Sequence, residues 1–155
     1  MSAVAGIPTV TVKRRIAASA QELFDAWLDP AALAQWFRPA SSGETLSTVT
    51  VDARVGGGFD IVMHIPSRRC AEAGATGQAH HFGTYQVIEA PHRLVFTWNS
   101  YHDGQPDSLV TVEFRPDGAA TDVVITHERL PEDRRDGHQG GWTELLESLE
   151  KNLAA

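Results

Sequence analysis

Apolar residues recur along this chain at two different spacings, and the change of spacing divides it. From about residue 46 to residue 128 they alternate with polar residues at a period of two, the pattern of half-buried strands. On either side they recur three and four positions apart, the pattern of amphipathic helices. Thr9–Ile16 sets Val10, Val12 and Arg14 against Thr11, Lys13 and Arg15, which predicts an opening strand. Ser19-Ala20-Gln21-Glu22 is a capping box, and Leu23, Phe24, Trp27 and Leu28 follow as pairs four apart. Asp29 suits an N-cap and Pro30 a first helical position, so a second helix is expected over about 30–37, carrying Leu33, Trp36 and Phe37. Pro39 stops it.

Six further strands are expected over 46–54, 59–65, 78–89, 93–101, 108–115 and 121–128. Gly56-Gly57-Gly58, Ala90-Pro91-His92, Asp103-Gly104 and Asp117-Gly118 supply turns between most of them. Short turns between successive strands predict an antiparallel meander. One connection, residues 66–76, is longer and holds Arg68-Arg69-Cys70 and Gly74. Gly140-Gly141-Trp142 then opens a last helix with Leu145, Leu146, Leu149 and Leu153 on one stripe.

Such a helix is roughly 30 Å long but only about 10 Å wide. Six or seven strands at about 4.8 Å spacing make a surface roughly 30 Å across. One helix therefore covers part of one face, which predicts an apolar hollow between helix and sheet. Alternation names the side chains that would line it: Phe59, Ile61, Met63 and Ile65; Leu94, Phe96 and Trp98; Val110, Val112 and Phe114. Two registers compete in 121–128, and Val123, Ile125 and His127 are taken as inward, with Val124, Thr126 and Glu128 outward. Tyr85 and Val87 are placed on the face of Gly83, whose missing side chain leaves room. The expected pocket is Trp36, Phe59, Ile61, Met63, Tyr85, Phe96, Trp98, Val112, Ile125, His127, Trp142 and Leu145. Each has a plain alternative as a core residue, and His127 as a satisfied structural histidine.

Composition narrows the function classes. The 155 residues are 42% hydrophobic and carry a net charge of −7, which fits one domain over 9–155 after a loose tail at 1–8. The acidic balance argues against nucleic acid and anionic membrane surfaces as partners. No segment is long and apolar enough to span a membrane, and the first residues lack the pattern of a secretory signal. A single cysteine, Cys70, excludes an internal disulfide and suits a cytoplasmic setting. Seven histidines are present, but adjacent His80 and His81 point to opposite faces of a strand. His64, His92, His102 and His138 lack paired spacing, so neither a metal nor another cofactor is expected. There is no nucleophile elbow, phosphate loop or dinucleotide fingerprint. Glu113 and Asp60 alternate outward, leaving His127 and Tyr85 as the only candidates for acid–base work, so catalysis is not the leading expectation.

A resemblance rests on Ala26-Trp27-Leu28-Asp29-Pro30 with Trp36, Gly56-Gly57-Gly58-Phe59 and Gly83-Thr84-Tyr85. Arg93-Leu94-Val95-Phe96-Thr97-Trp98, Thr126-His127-Glu128 and Gly141-Trp142 complete it. In their order and spacing these resemble the START-like (SRPBCC) superfamily, in the branch named after the activator of the heat-shock chaperone ATPase (AHSA-like). The resemblance implies an α+β helix-grip fold: a curved antiparallel sheet of six or seven strands around a long C-terminal helix, with two short helices after the first strand. It also implies a pocket for lipids, polyketides or other apolar molecules. The 66–76 connection is longer than that pattern's, and with Gly140-Gly141 it would form a lid.

The first functional expectation is thus a small binding protein for an apolar or aromatic molecule. The second is a cyclase- or hydrolase-like enzyme using His127 and Tyr85 in the same pocket. The third, from the branch's name, is a chaperone-interaction protein. Outward Val62, Val95 and Val124 would leave apolar patches on the sheet's other side, on which a homodimer would pair.

Overall fold

The computed structural model describes residues 9–37, 45–64, 78–100, 108–129 and 135–154. They form β1 (Thr9–Ile16), α1 (Ala20–Leu28), α2 (Pro30–Trp36), β2 (Thr45–Val51), β3 (Gly58–His64), β4 (Gln78–Glu89), β5 (Arg93–Ser100), β6 (Ser108–Asp117), β7 (Ala120–Glu128) and α3 (Arg135–Ala154). The seven strands make one sheet in the order β1-β7-β6-β5-β4-β3-β2, antiparallel throughout. β2 to β7 are the predicted meander. β1 pairs with β7, so the two strands that flank the helix pair in sequence lie at opposite edges of the sheet.

Local chemistry places the short helices as read. Ser19 accepts from the Glu22 amide at 3.1 Å while the Glu22 carboxylate takes the Ser19 amide at 3.2 Å, closing the capping box. Asp29 serves both helices: its backbone N–H donates to Asp25 at 3.0 Å to end α1, and its side chain accepts from Ala31 at 3.1 Å to start α2. Pro30 follows at the first helical position, where no amide hydrogen is needed.

The last helix starts earlier than expected. It begins at Arg135, so Gly140 and Gly141 lie inside it rather than at its opening. A hydrogen-bonded helix tolerates isolated glycines at about 1 kcal/mol each when neighbouring turns hold. The expected stripe is intact: Trp142, Leu145, Leu146 and Leu149 are buried, and Leu153 is partly so. Arg14, from the inner face of edge strand β1, donates two hydrogen bonds to Glu150 at 2.9 and 2.6 Å and lies 3.7 Å from Glu147, tying helix to sheet.

The strand faces follow the alternation with one exception. Phe59, Ile61, Leu94, Phe96, Trp98, Val110, Val112, Phe114, Val123, Ile125 and His127 are all buried on the helix side. In β4 a bulge between Tyr85 and Val87 inserts an extra residue. Val87 therefore pairs with Val95 on the outer face, and Ile88, opposite Leu94, packs on the core in its place. Gly83 does not leave room either. A Cβ there would run into the Thr97 carbonyl and come within 2.9 Å of the Phe59 ring, so its bareness is used by close approach of backbone.

The outer apolar patches are smaller than alternation implied. Val95 and Val124 face outward in register but are only 7% exposed. Val124 lies between Lys13 on β1 and Glu113 on β6, whose long side chains flank it. Val55, in the β2–β3 turn, is the one strongly exposed large hydrophobic among the described residues. No helix among them is long and apolar enough to cross a membrane.

Candidate functional site

Part of the space that one helix cannot fill is taken by the other two. α1 and α2 bring Phe24, Trp27, Leu33, Trp36 and Phe37 into the interior, all at most 3% exposed. Trp27 packs edge-on against Trp36 at 4.9 Å and Phe114 at 6.1 Å, and lies over Trp142 at 6.4 Å. Phe37 touches Trp36, Trp98 and Trp142 at 5.4 to 6.2 Å. Rings from the sheet meet them: Phe59 lies 5.3 to 5.8 Å from Phe96, Trp98 and Tyr85. Between these rings lies a cavity of about 10 Å³ lined by Trp27, Leu33, Phe37, Phe59, Ile61, Tyr85, Phe96 and Trp98. That holds about one water molecule. Among the described residues, the rings of α1 and α2 take up much of the hollow expected from the width of α3 alone.

Five expected pocket residues line this cavity: Phe59, Ile61, Tyr85, Phe96 and Trp98. Trp36, Val112, Ile125, His127, Trp142 and Leu145 are buried but belong to the surrounding core. The Met63 side chain lies outside the described residues, as do Ile65, Cys70 and the whole 66–76 connection. Trp27, Leu33 and Phe37 were missing from the expected lining. Their signal was the density of large rings between Phe24 and Phe37, more than two short helices need to bury themselves.

His127 is the centre of a hydrogen-bonded chain. It sits in β7 between Val10 of β1 and Val110 of β6, fully buried. The Trp142 indole Nε1–H donates to His127 Nδ1 at 3.0 Å. An indole nitrogen is a donor only, so Nδ1 must carry a lone pair and the neutral ring holds its proton on Nε2. Nε2–H then donates to Ser108 Oγ at 2.7 Å, and Ser108 donates onward to the Trp98 carbonyl at 2.9 Å. The direction is consistent at every link. It also decides the chemistry of the Ser108–His127 pair: a base must accept from its nucleophile, and here Nε2 already bears the proton. No hydrogen bond joins His127 to Tyr85 among the described residues. Tyr85 packs on Phe59 and Phe96, His127 on Trp98 and Trp142.

Trp98 is the odd member. It is 7% exposed, stacks on His81 at 4.8 Å, and borders Phe59, Phe37 and Trp142. Its indole Nε1–H is buried and has no hydrogen-bond partner among the described residues. The other two interior indoles with assigned bonds contrast with it: Trp36 donates to the Ala26 carbonyl at 2.9 Å, and Trp142 to His127. An orphaned buried donor costs about 1–3 kcal/mol and calls for an explanation. Tyr85, beside the same cavity, has its phenol held above the ordinary tyrosine range by burial, so it stays neutral.

The sheet's other side offers a larger but different space. An open depression of about 470 Å³ is lined by Thr50, Asp52, Asp60, Phe82, Thr84, Thr97 and Asn99 among others. It lies open to solvent, so it does not take a guest out of water. Asp60 is exposed there, and Glu113 bonds Arg115 at 2.8 Å, both on the outer face as alternation placed them. No group of three or more metal-ligating side chains forms among the described residues.

Comparison with known proteins agrees with this architecture. The family model "Activator of Hsp90 ATPase homolog 1-like protein" matches residues 17–154, and the chain belongs to that family, AHSA1, within the START-like helix-grip proteins. Protein CV1439 from Chromobacterium violaceum is 26% identical, covering 93% of this chain and 96% of that one, with a TM-score of 0.77. The AHSA1-like protein from Aeromonas hydrophila is 24% identical over 93% and 90% of the two chains, TM-score 0.75. PFC0360w, an HSP90 activator from Plasmodium falciparum, is 23% identical over 94% and 96%, TM-score 0.70. No curated protein matches in sequence.

Proposed function

We propose that this AHSA1-family chain binds an apolar or aromatic small molecule in its interior, at the small cavity between α2 and strands β3 to β5, and that it is described here with that site collapsed. The observation that carries the reading is the Trp98 indole N–H, buried with no acceptor on a residue that lines the cavity. A guest supplying an acceptor would relieve a standing cost, whereas a purely structural core gains nothing from an orphaned donor. The present cavity is far below the several hundred cubic ångströms of a drug-sized site, so binding requires side chains to move. Leu33 and Phe37 are the natural ones to yield. They come from the seven-residue α2 and its C-cap, the shorter of the two helices facing the cavity, and short elements with few partners open most cheaply.

Titration with small aromatic and aliphatic probes, followed through the indole N–H resonances of the four tryptophans, tests this. The expected outcome is a saturable displacement of the Trp98 signal larger than that of the other three. If no probe class moves it in a saturable way, the interior is core and nothing more.

A second reading has one observation in its favour. The family takes its name from a chaperone ATPase activator, and the neighbour from Plasmodium falciparum is an HSP90 activator covered over 96% of its length. On this reading the chain acts through its surface. Calorimetric titration against Hsp90, with its ATPase rate measured in parallel, separates the two: surface binding leaves the Trp98 indole signal in place.

A further inference from the structure

The residues around the cavity restrict its guest more narrowly than "apolar". None of the eight lining side chains is charged, so a carboxylate or ammonium drawn inside would lose its water without gaining a counter-ion. Three neighbouring polar rings are already committed. Both His127 nitrogens are engaged, and the Trp36 and Trp142 indoles donate to partners of their own. Trp98 Nε1–H is the buried side-chain polar atom without a partner among the described residues, and an indole nitrogen can only donate. Its complement is therefore an acceptor. Phe59 and Phe96 meet at 5.3 Å nearly edge to face, and Phe37 approaches Trp98 at 6.1 Å. Walls made of ring edges and faces favour a flat aromatic body over a flexible chain.

We infer that the guest is a neutral, planar aromatic molecule bearing one hydrogen-bond acceptor, such as a ketone oxygen, and that Trp98 is the residue that selects it. This deepens the small-molecule reading above and rests on it. Trp98 takes the role that the strand pattern offered to His127, because His127 spends its donor on Ser108 and its acceptor on Trp142.

The test uses a matched pair of probes: 1-indanone, and indane, which is the same bicycle without the ketone oxygen. Affinities are read from titrations of the full chain by two-dimensional NMR, with the indole signals assigned. 1-Indanone is expected to bind about tenfold tighter than indane, the size of one relieved buried donor, and to move the Trp98 indole proton downfield where indane does not. Indane-1-carboxylate is expected to bind at least about tenfold more weakly than the ketone. Trp98→Phe should bring 1-indanone down to the affinity of indane and leave indane within about twofold. If that variant does not fold, the wild-type indole proton shift decides alone. Equal affinities for the two neutral probes, a preference that survives Trp98→Phe, or carboxylate binding as tight as the ketone's would overturn the selection rule while leaving an apolar site standing. Failure of every probe to saturate would overturn the site itself, and the rule with it.

Discussion

His127 and Trp98 are two polar-tipped rings buried 6.2 Å apart in the same sheet wall, and they meet opposite fates. On the β6–β7–α3 side, each link from Trp142 through His127 and Ser108 to the Trp98 carbonyl has a donor facing an acceptor. On the α2–β3–β4–β5 side, the Trp98 indole faces aromatic rings and a water-sized gap. The first region locks the last helix to the sheet. The second carries the defects that a packed domain usually avoids: a bulge at Tyr85, a glycine that admits no side chain, and an orphaned donor. The lesson is that satisfied and unsatisfied polar groups divide this interior between them, although its rings form one continuous cluster.

Breaking the satisfied side should cost most. His127→Leu would strand the Trp142 indole donor and remove the proton that Ser108 accepts, for an expected loss of about 3 kcal/mol in urea denaturation. A loss below about 1 kcal/mol would mean that the chain of bonds carries no special weight. Gly83→Ala comes next, at about 2 kcal/mol, since the new methyl meets the Thr97 carbonyl and the Phe59 ring. Backbone crowding of that kind should also shift amide signals in β4 and β5.

The comparison sharpens when the same change is made at both tryptophans. Trp142→Phe removes a made hydrogen bond to His127 Nδ1, whereas Trp98→Phe removes a donor that had none. Side by side, thermal or urea unfolding should show the Trp142 variant less stable by about 1–2 kcal/mol. Equal losses would show that ring volume, not hydrogen bonding, dominates both sites.

The smallest effect concerns pH. Burial raises the Tyr85 phenol pKa in the folded state. The unfolded chain therefore releases that proton first, near the ordinary value of about 10. Between the two values the folded state holds more protons, so stability falls as pH rises. The Tyr85 contribution should be complete below about pH 9 and reduced by roughly 0.8 kcal/mol at about pH 10.5. Tyr85→Phe should flatten that part of the curve, and an unchanged slope would place the phenol in water.

Much of this was readable before any coordinates. Ser19, Glu22, Asp29 and Pro30 announce the short helices because capping is settled within four residues. Val123, Ile125 and His127 were correctly placed inward because a strand's period of two is rigid once its register is chosen. Val87 escaped because a bulge shifts that register by one, and nothing in Tyr85-Gln86-Val87 marks it. Arg135 as the start of α3 escaped because Gly140-Gly141 looks like a break, and only neighbouring turns show that it is not. The lining contributed by Trp27, Leu33 and Phe37 escaped for a different reason: it depends on where two helices land.

Direction and volume separate what each level of description determines. Periodicity, caps and turn residues set which way a side chain points, since those rules act between neighbours on the chain. From them come the strand faces, the helix stripe and the family. Whether space remains between sheet and helices is a sum over side chains far apart in sequence, and here, among the described residues, rings from 24–37 meet rings from 59–98 and leave a water-sized gap between them. Which buried donor finds an acceptor is decided at the same level. His127 and Trp98 look equally eligible on alternating strands, and only their placement against Trp142 and Ser108 makes one satisfied and the other bare.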